Sequence, residues 1–328
     1  MNRRFWKVAS APLCASLLGL AACTVAQENT APKAPEAIKA PEAPAMPALV
    51  ADGAQLEVVY EADRFFEGPV WEPKSGRLFF TAHPKGEQPF QIMRLGDNKQ
   101  AEIWLNETQG INGMTLGRDG RLLGAQGRAN PPAIVAVSTQ DKKIEVLAQA
   151  SDENPMVETN DLDEDAKGGI YFTAPDFNQK THSAVFYRSP EGKVSRVIAN
   201  MKLPNGLEVS NDGKMLVVSD SFERRVYGYP IKEDGTLELG RVRVFFDPNT
   251  PNQTDPDGIT TDEDGNFYFT MRGGVWITTP RGQSLGMIPV KEFTSNVTFG
   301  GADGRTLYLT TSGKIYALRM KSRGLGWK

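Results

Sequence analysis

"LPNGLEVSNDGKMLVVSDS", residues 203–221, holds two turn-like dipeptides, Asn205-Gly206 and Asp212-Gly213. Asn or Asp before Gly readily takes positive φ, so either pair suits a β-hairpin tip. Only Leu-Glu-Val-Ser-Asn lies between them, which is one short strand. If Asp212-Gly213 turns the hairpin, Asn205-Gly206 needs another purpose.

The second half of this stretch recurs along the chain. A glycine turn leads into a short apolar strand that ends in Thr, Ser or another small residue. The copies are "PKSGRLFFTA" at Gly76, "GRDGRLLGAQ" at Gly120, "EDAKGGIYFTA" at Gly168, "SNDGKMLVVSD" at Gly213, "DEDGNFYFTM" at Gly265 and "GADGRTLYLTT" at Gly304. They are 44, 48, 45, 52 and 39 residues apart. Six units of about this length match four-stranded propeller blades. A β-sandwich would repeat its turns more closely. No segment keeps a helical period, whereas Val194, Arg196 and Ile198 alternate with Ser195 and Val197 as a strand does. The expectation is an all-β, six-bladed propeller with a central metal site.

Eight or nine residues before each turn glycine stands an oxygen-bearing side chain: Glu67, Asn112, Asn160, Asn205, Asp257 and Asn296. If these open the innermost strand of each blade, they form a ring at one mouth of the channel. Two of the six are ionised, and such a ring cannot be buried without a counter-charge. Oxygen donors without imidazole or thiolate suit one divalent cation, Ca²⁺ best, with Mg²⁺, Mn²⁺ or Zn²⁺ as other candidates. The plain alternative is that Asn-Gly and Asp-Gly are only turn residues.

The strings "EGPVWEPKSGRLFFT", "NDLDEDAKGGIYFT", "PNGLEVSNDGKMLVVSDS" and "PDGITTDEDGNFYFT" resemble the gluconolactonase/regucalcin (senescence marker protein, SMP-30/gluconolactonase/LRE-like) family from about Glu67 onward. The resemblance implies a six-bladed calcium-type propeller that hydrolyses lactones and related esters. It implies metal ligation by Glu67, Asn160, Asn205 and Asp257, with Asp257 also the catalytic general base. It implies substrate contacts from Asn160 and Asn112, and His83 stands near the same mouth as a further substrate-binding group or second base. Asn296 follows only from the repeat phase. Some positions depart from the family pattern: Ala82 and His83 in "FTAHP", Glu158 where some members carry Arg, Ala174, and "QGRANPP" at 126–132. These changes keep open a second reading, a non-catalytic propeller that binds a ligand or protein of the cell envelope around a structural calcium. A serine hydrolase is disfavoured, since there is no Gly-x-Ser-x-Gly elbow and the chain has 2 His.

The chain has 328 residues, net charge −3 and no basic stripe, so nucleic acid is not an expected partner. The expected partner is a small lactone or ester, bound by a monomer. Both cysteines, Cys14 and Cys23, precede the domain. Arg3, Arg4 and Lys7 come before the short apolar run "ASAPLCASLLGLAAC". That is the layout of a signal peptide, residues 1–22, with Leu20-Ala21-Ala22-Cys23 resembling a bacterial lipoprotein site. Cys23 is then the lipidation site, and the envelope, at the periplasmic side of the outer membrane, is the expected location. That anchor would be the only membrane contact. Cleavage near Ala26 as a simple secreted form is the alternative. Residues 23–55, rich in Ala and Pro, read as an extended tether, and 56–328 as the propeller. Residues 59–66, "VYEADRFF", could close the last blade beside "KIYALRM".

Overall fold

The computed structural model describes residues 46–199, 201–248 and 255–325. The signal peptide, Cys23 and the first part of the tether lie outside them. Almost all regular structure is antiparallel β, with one short 3₁₀ turn at Leu239–Arg241. No described helix is long and apolar enough to cross a membrane.

The strands form five sheets rather than the six separate blades expected. Four sheets have four strands each, running outward in chain order or its reverse, over 111–149, 162–198, 204–246 and 259–289. The fifth has six strands, because the 16-residue strand Glu57–Glu72 belongs to both ends of the domain. Its first half pairs with the C-terminal strand, Val58 opposite Tyr316 and Phe65 opposite Ser312. Its second half pairs with Arg77–Ala82. The repeat unit was legible, but this fusion was not: one uninterrupted strand joins what the turn spacing separates. The N-terminal segment thus closes the domain on "KIYALRM".

The apolar run of each repeat is explained by packing. In Met215–Asp220, Leu216 and Val218 pack with Tyr171, Val185 and Leu207, while Val217 packs with Phe245, Phe267 and Phe269. Successive residues therefore face opposite neighbours, and both faces are dry, as in any sheet covered on two sides. Phe80, Phe172, Phe186, Phe269 and Tyr268 are fully buried in the same way. Each such side chain contributes about 1.5–3 kcal/mol of transfer free energy.

The Thr or Ser ending these runs has a separate task. Thr81 Oγ1 donates to Asn112 O (2.9 Å), Ser219 Oγ to Asp257 O (2.9 Å) and Thr270 Oγ1 to Ser295 O (2.8 Å). Each bond ties the strand to the innermost strand of the next repeat. Residues 47–56, assigned by composition to the tether or its edge, pack on the domain. Val50 is buried and bridges Met320, Ala51 N donates to Arg319 O, and Leu49 and Leu56 lean on the adjoining core. Val50, Leu49 and Leu56 supply the apolar surface that the Ala/Pro-rich stretch before them lacks.

Candidate functional site

Asp212-Gly213 is the hairpin tip between Pro204–Val209 and Met215–Asp220, with Gly213 at φ 68° and its N–H on Ser210 O. Asn205-Gly206 lies inside the strand, where pairing slips between Pro204 and Leu207. The same irregularity falls between Glu67 and Val70, between Ile111 and Met114, and between Thr294 and Asn296. Four ring positions are therefore β-bulges, which release a residue from the ladder and re-aim its side chain. Asn160 and Asp257 precede strands Leu162–Glu164 and Ile259–Thr261. All six stand at the same end of their innermost strands, and all six are buried.

The glycines after them serve close approach. A Cβ on Gly206 would lie 2.1 Å from Asp257 O, one on Gly258 2.1 Å from the Asn296 amide, and one on Gly113 2.2 Å from Asp161 Oδ1. One on Gly68 would lie 2.3 Å from Asn112 O. The inner strands thus meet backbone against backbone at Gly206 and Gly68 and backbone against side chain at Gly258 and Gly113, and any Cβ would push the ring apart.

Inside the ring the polar groups are linked. Asn296 Nδ2 donates to Glu67 Oε2 (2.9 Å) and to Asp161 Oδ2 (3.2 Å), so Asn296 bridges two carboxylates. Gly68 N also donates to Glu67 Oε2. Asn205 Nδ2 donates to Ser221 Oγ (3.1 Å), which donates to Pro256 O. Asn112 Nδ2 donates to Asn160 O (3.3 Å), and Asn112 Oδ1 meets His83 Nε2 at 2.6 Å. Asn160 Oδ1 is buried with no partner among the described residues. Asp257 shows no hydrogen bond to its carboxylate there either, although its backbone is satisfied.

The charges do not balance. Burial pushes the Glu67 carboxyl up to about 7. Burial, then the Glu67 charge, holds Asp161 and Asp257 well above the usual carboxylate range. No Lys or Arg accounts for any of these shifts. Buried acids without a basic partner, next to an amide oxygen without one, are groups whose charge a hard divalent cation would offset. Among the described residues no three His, Cys, Asp or Glu side chains make a complete ion site by themselves. The expected set has only two carboxylates, so it depends on the Asn oxygens.

The structure therefore brings Glu67, Asn112, Asn160, Asn205, Asp257 and Asn296 together. His83 joins through Asn112, between Phe65 and Phe90, each 4.9 Å away by ring centroid. Burial lowers its pKa, with the Arg128 and Arg64 charges adding to the effect, so its ring is neutral at pH 7. Counting one residue per repeat missed Asp161. The paired oxygens of "ND" were the available signal. Deeper in the channel, Asp163 (pushed up by burial to about 6) and half-buried Glu208 add two more acids. A 390 Å³ cavity runs from Asp161 and Asn296 past Leu116, Glu208 and Phe299 to Leu325, away from the ring.

Comparison with known proteins places this geometry. A gluconolactonase of Zymomonas mobilis is 28% identical over 302 residues, covering 82% of each chain. The pentonolactonase XacC of Haloferax volcanii is 29% identical over 261 residues, 78% of this chain and 84% of that protein. The solved structure of a Xanthomonas campestris gluconolactonase superposes with a TM-score of 0.71 at 24% identity, over 83% of this chain and 92% of the other, a likeness of fold. The model of the SMP-30/gluconolactonase/LRE-like region matches residues 65–313. The chain belongs to the SMP-30/gluconolactonase/LRE-like family.

Proposed function

We propose that this protein is a divalent-cation-dependent lactonase. The carrying observation is the uncompensated set of Glu67, Asp161 and Asp257 beside the unpaired Asn160 Oδ1. The lactonases among its relatives support hydrolysis of a small lactone. Glu67, Asn160, Asn205 and Asp257 would hold the cation, with Ca²⁺ favoured by the all-oxygen donor set. When bound, such an ion supplies Lewis-acid polarisation of the lactone carbonyl and offsets charge on its oxygen.

The chain's own groups supply the rest. Asp257 has a raised proton affinity and no hydrogen bond to its carboxylate among the described residues, which suits acceptance of a proton from the attacking water. Neutral His83 has Nε2 committed to Asn112 Oδ1, so it holds Asn112 with its amide toward Asn160. Asn112 and Asn160 then orient the ester. Asn296 keeps Glu67 and Asp161 apart and hydrogen-bonded.

The six-stranded sheet acts as two blades. Ser295 Oγ reaches Phe66 O at 2.6 Å, as the latches between separate sheets do. Strand Thr306–Arg319 also changes partner along its length, 306–311 pairing with 294–300 and 312–317 with 57–65. Attachment of a monomer to the periplasmic face of the outer membrane through Cys23 rests on the leader sequence.

The test is hydrolysis of a panel of sugar and acyl lactones, with and without chelator. Activity lost on chelation and restored by Ca²⁺ supports the proposal. Activity indifferent to chelator refutes the metal role. A bound ion with no lactone turned over favours the non-catalytic reading, to which the departures at Ala82, Glu158 and Ala174 point.

A further inference from the structure

The first repeat departs from the family pattern at "FTAHP", and one side chain holds the loop that begins there. Arg64 Nε donates to His83 O (2.8 Å), and its Nη2 donates to Ala82 O (2.9 Å) and Pro89 O (2.6 Å). Nη1 donates to Gln91 Oε1, and Gln91 Nε2 donates in turn to Asn106 Oδ1 (2.7 Å). The guanidinium thus joins both ends of the loop 83–89 and, through Gln91, reaches the outer strand Ala101–Asn106. His83 N donates to Phe65 O (2.9 Å), so residues 64 and 65 together hold both polar groups of the His83 backbone. The bonds between Lys85 and Gln88 close the tip of the loop and leave its base to Arg64.

Arg64 is half-buried, burial lowers its pKa, and no carboxylate pairs with it among the described residues. A guanidinium among neutral acceptors fixes geometry rather than cancelling charge. Its donors lie in one rigid plane and hold several carbonyls in set directions, which a lysine ammonium does not. What the loop carries belongs to the wall of the ring. His83 lies between Phe65 and Phe90, and its Nε2 meets Asn112 Oδ1 at 2.6 Å. Asn112 Nδ2 donates onward to Asn160 O (3.3 Å).

We propose that Arg64 is the positioning residue of this wall: it clamps the loop 83–89, fixes His83 between Phe65 and Phe90, and so keeps Asn112 turned toward Asn160. Its effect on rate rests on the lactonase reading above, whereas its hold on His83 does not. A small displacement of an orienting group lowers rate more than affinity.

The experiment compares wild type, Arg64→Ala and Arg64→Lys. The chain has 2 His, so imidazole ¹⁵N spectra of histidine-labelled protein report on His83, with exposed His182 as internal reference. Wild-type His83 is expected as a single Nε2–H tautomer. In Arg64→Ala its two nitrogens should average, and kcat on D-glucono-1,5-lactone with Ca²⁺ present should fall roughly 10- to 100-fold, with KM changed far less. A 430 Å³ cavity lined by Arg64, Tyr60, Phe66 and Gln91 gives free guanidinium a way in. Millimolar guanidinium, far below unfolding concentrations, should restore the His83 tautomer and the rate, and methylammonium should not. A His83 still locked in Arg64→Ala, or one averaged there and not restored by guanidinium, would overturn the proposal. So would an averaged His83 with undiminished hydrolysis. Where Arg64→Ala does not fold, Arg64→Lys keeps the charge without the fork: an averaged His83 sustains the proposal and a locked one overturns it. If wild type leaves the lactone intact, the lactonase reading fails by itself, and the His83 tautomer with its guanidinium rescue still decides whether Arg64 positions the wall.

Discussion

Glu67 should make the cation-free protein less stable as pH rises. Its carboxyl is buried, bonded on one oxygen by Gly68 and Asn296, and pushed from 4.5 to about 7. The folded state therefore holds a proton that the unfolded chain releases above pH 4.5. Between pH 4.5 and 7 the folded state binds more protons, so stability falls with rising pH and the penalty is complete above 7. A shift of this size corresponds to about 3 kcal/mol. For a domain of this length that is on the order of 5–10 °C in Tm. His83 acts in the opposite sense below its ordinary pKa, since burial keeps it neutral when folded. Asp161, Asp163, Asp257 and Glu208 act in the same sense as Glu67. The clean observable is thus the difference between wild type and Glu67→Gln in chelator, followed by calorimetry from pH 5 to 8. Wild type should lose ground from pH 5 to about 7 and level off between 7 and 8. Saturating Ca²⁺ should then reverse the order at pH 8, since an ion at 1,000 times its Kd adds about 4 kcal/mol to the form that binds it. A difference curve that stays flat in chelator would refute the claim that Glu67 is a buried, uncompensated acid.

Other consequences can be read by simpler assays. Gly206→Ala forces a Cβ against Asp257 O and should cost at least about 1–3 kcal/mol in urea unfolding, because backbone cannot move aside as a side chain can. An alanine tolerated there would mean the ring is looser than described. Ser219→Ala removes a buried donor to Asp257 O and Gly206 O and should cost about 1–3 kcal/mol, while the same change at exposed Ser284 should cost under about 0.5 kcal/mol. Asp257→Asn should lower kcat by roughly 10²–10⁴ if Asp257 is the base, with far-ultraviolet circular dichroism unchanged. A loss under tenfold would move that role elsewhere.

The sequence displayed the repeat because every unit needs a glycine turn and a strand dry on both faces, and three of them, at Thr81, Ser219 and Thr270, add a small hydroxyl that ties the unit to the next. Six oxygen side chains at one phase were visible for the same reason. What was hidden is long-range. The pairing of residues 57–65 with "KIYALRM" was open to reading as a closing strand, but that the same strand runs on unbroken into the first repeat was not, since no local pattern marks it. Asn205-Gly206 has the composition of a turn, and only strand pairing shows that it is a bulge whose glycine makes room for Asp257. Asp161 was masked because one residue per unit was counted where the third unit presents two. Arg128 and Glu158 are thirty residues apart and read as separate oddities until the fold joins them.

The central claim, that the ring is a cation site that makes the protein a lactonase, is tested most directly by one paired titration. Ca²⁺ is added to chelator-stripped wild type and to Asn205→Ala while bound ion and lactone hydrolysis are recorded on the same samples. The expected result is one ion per wild-type chain with activity rising in step, and at least tenfold weaker binding in Asn205→Ala with its fold retained. Full occupancy in Asn205→Ala, or wild-type hydrolysis that runs undiminished before any Ca²⁺ is added, would contradict it.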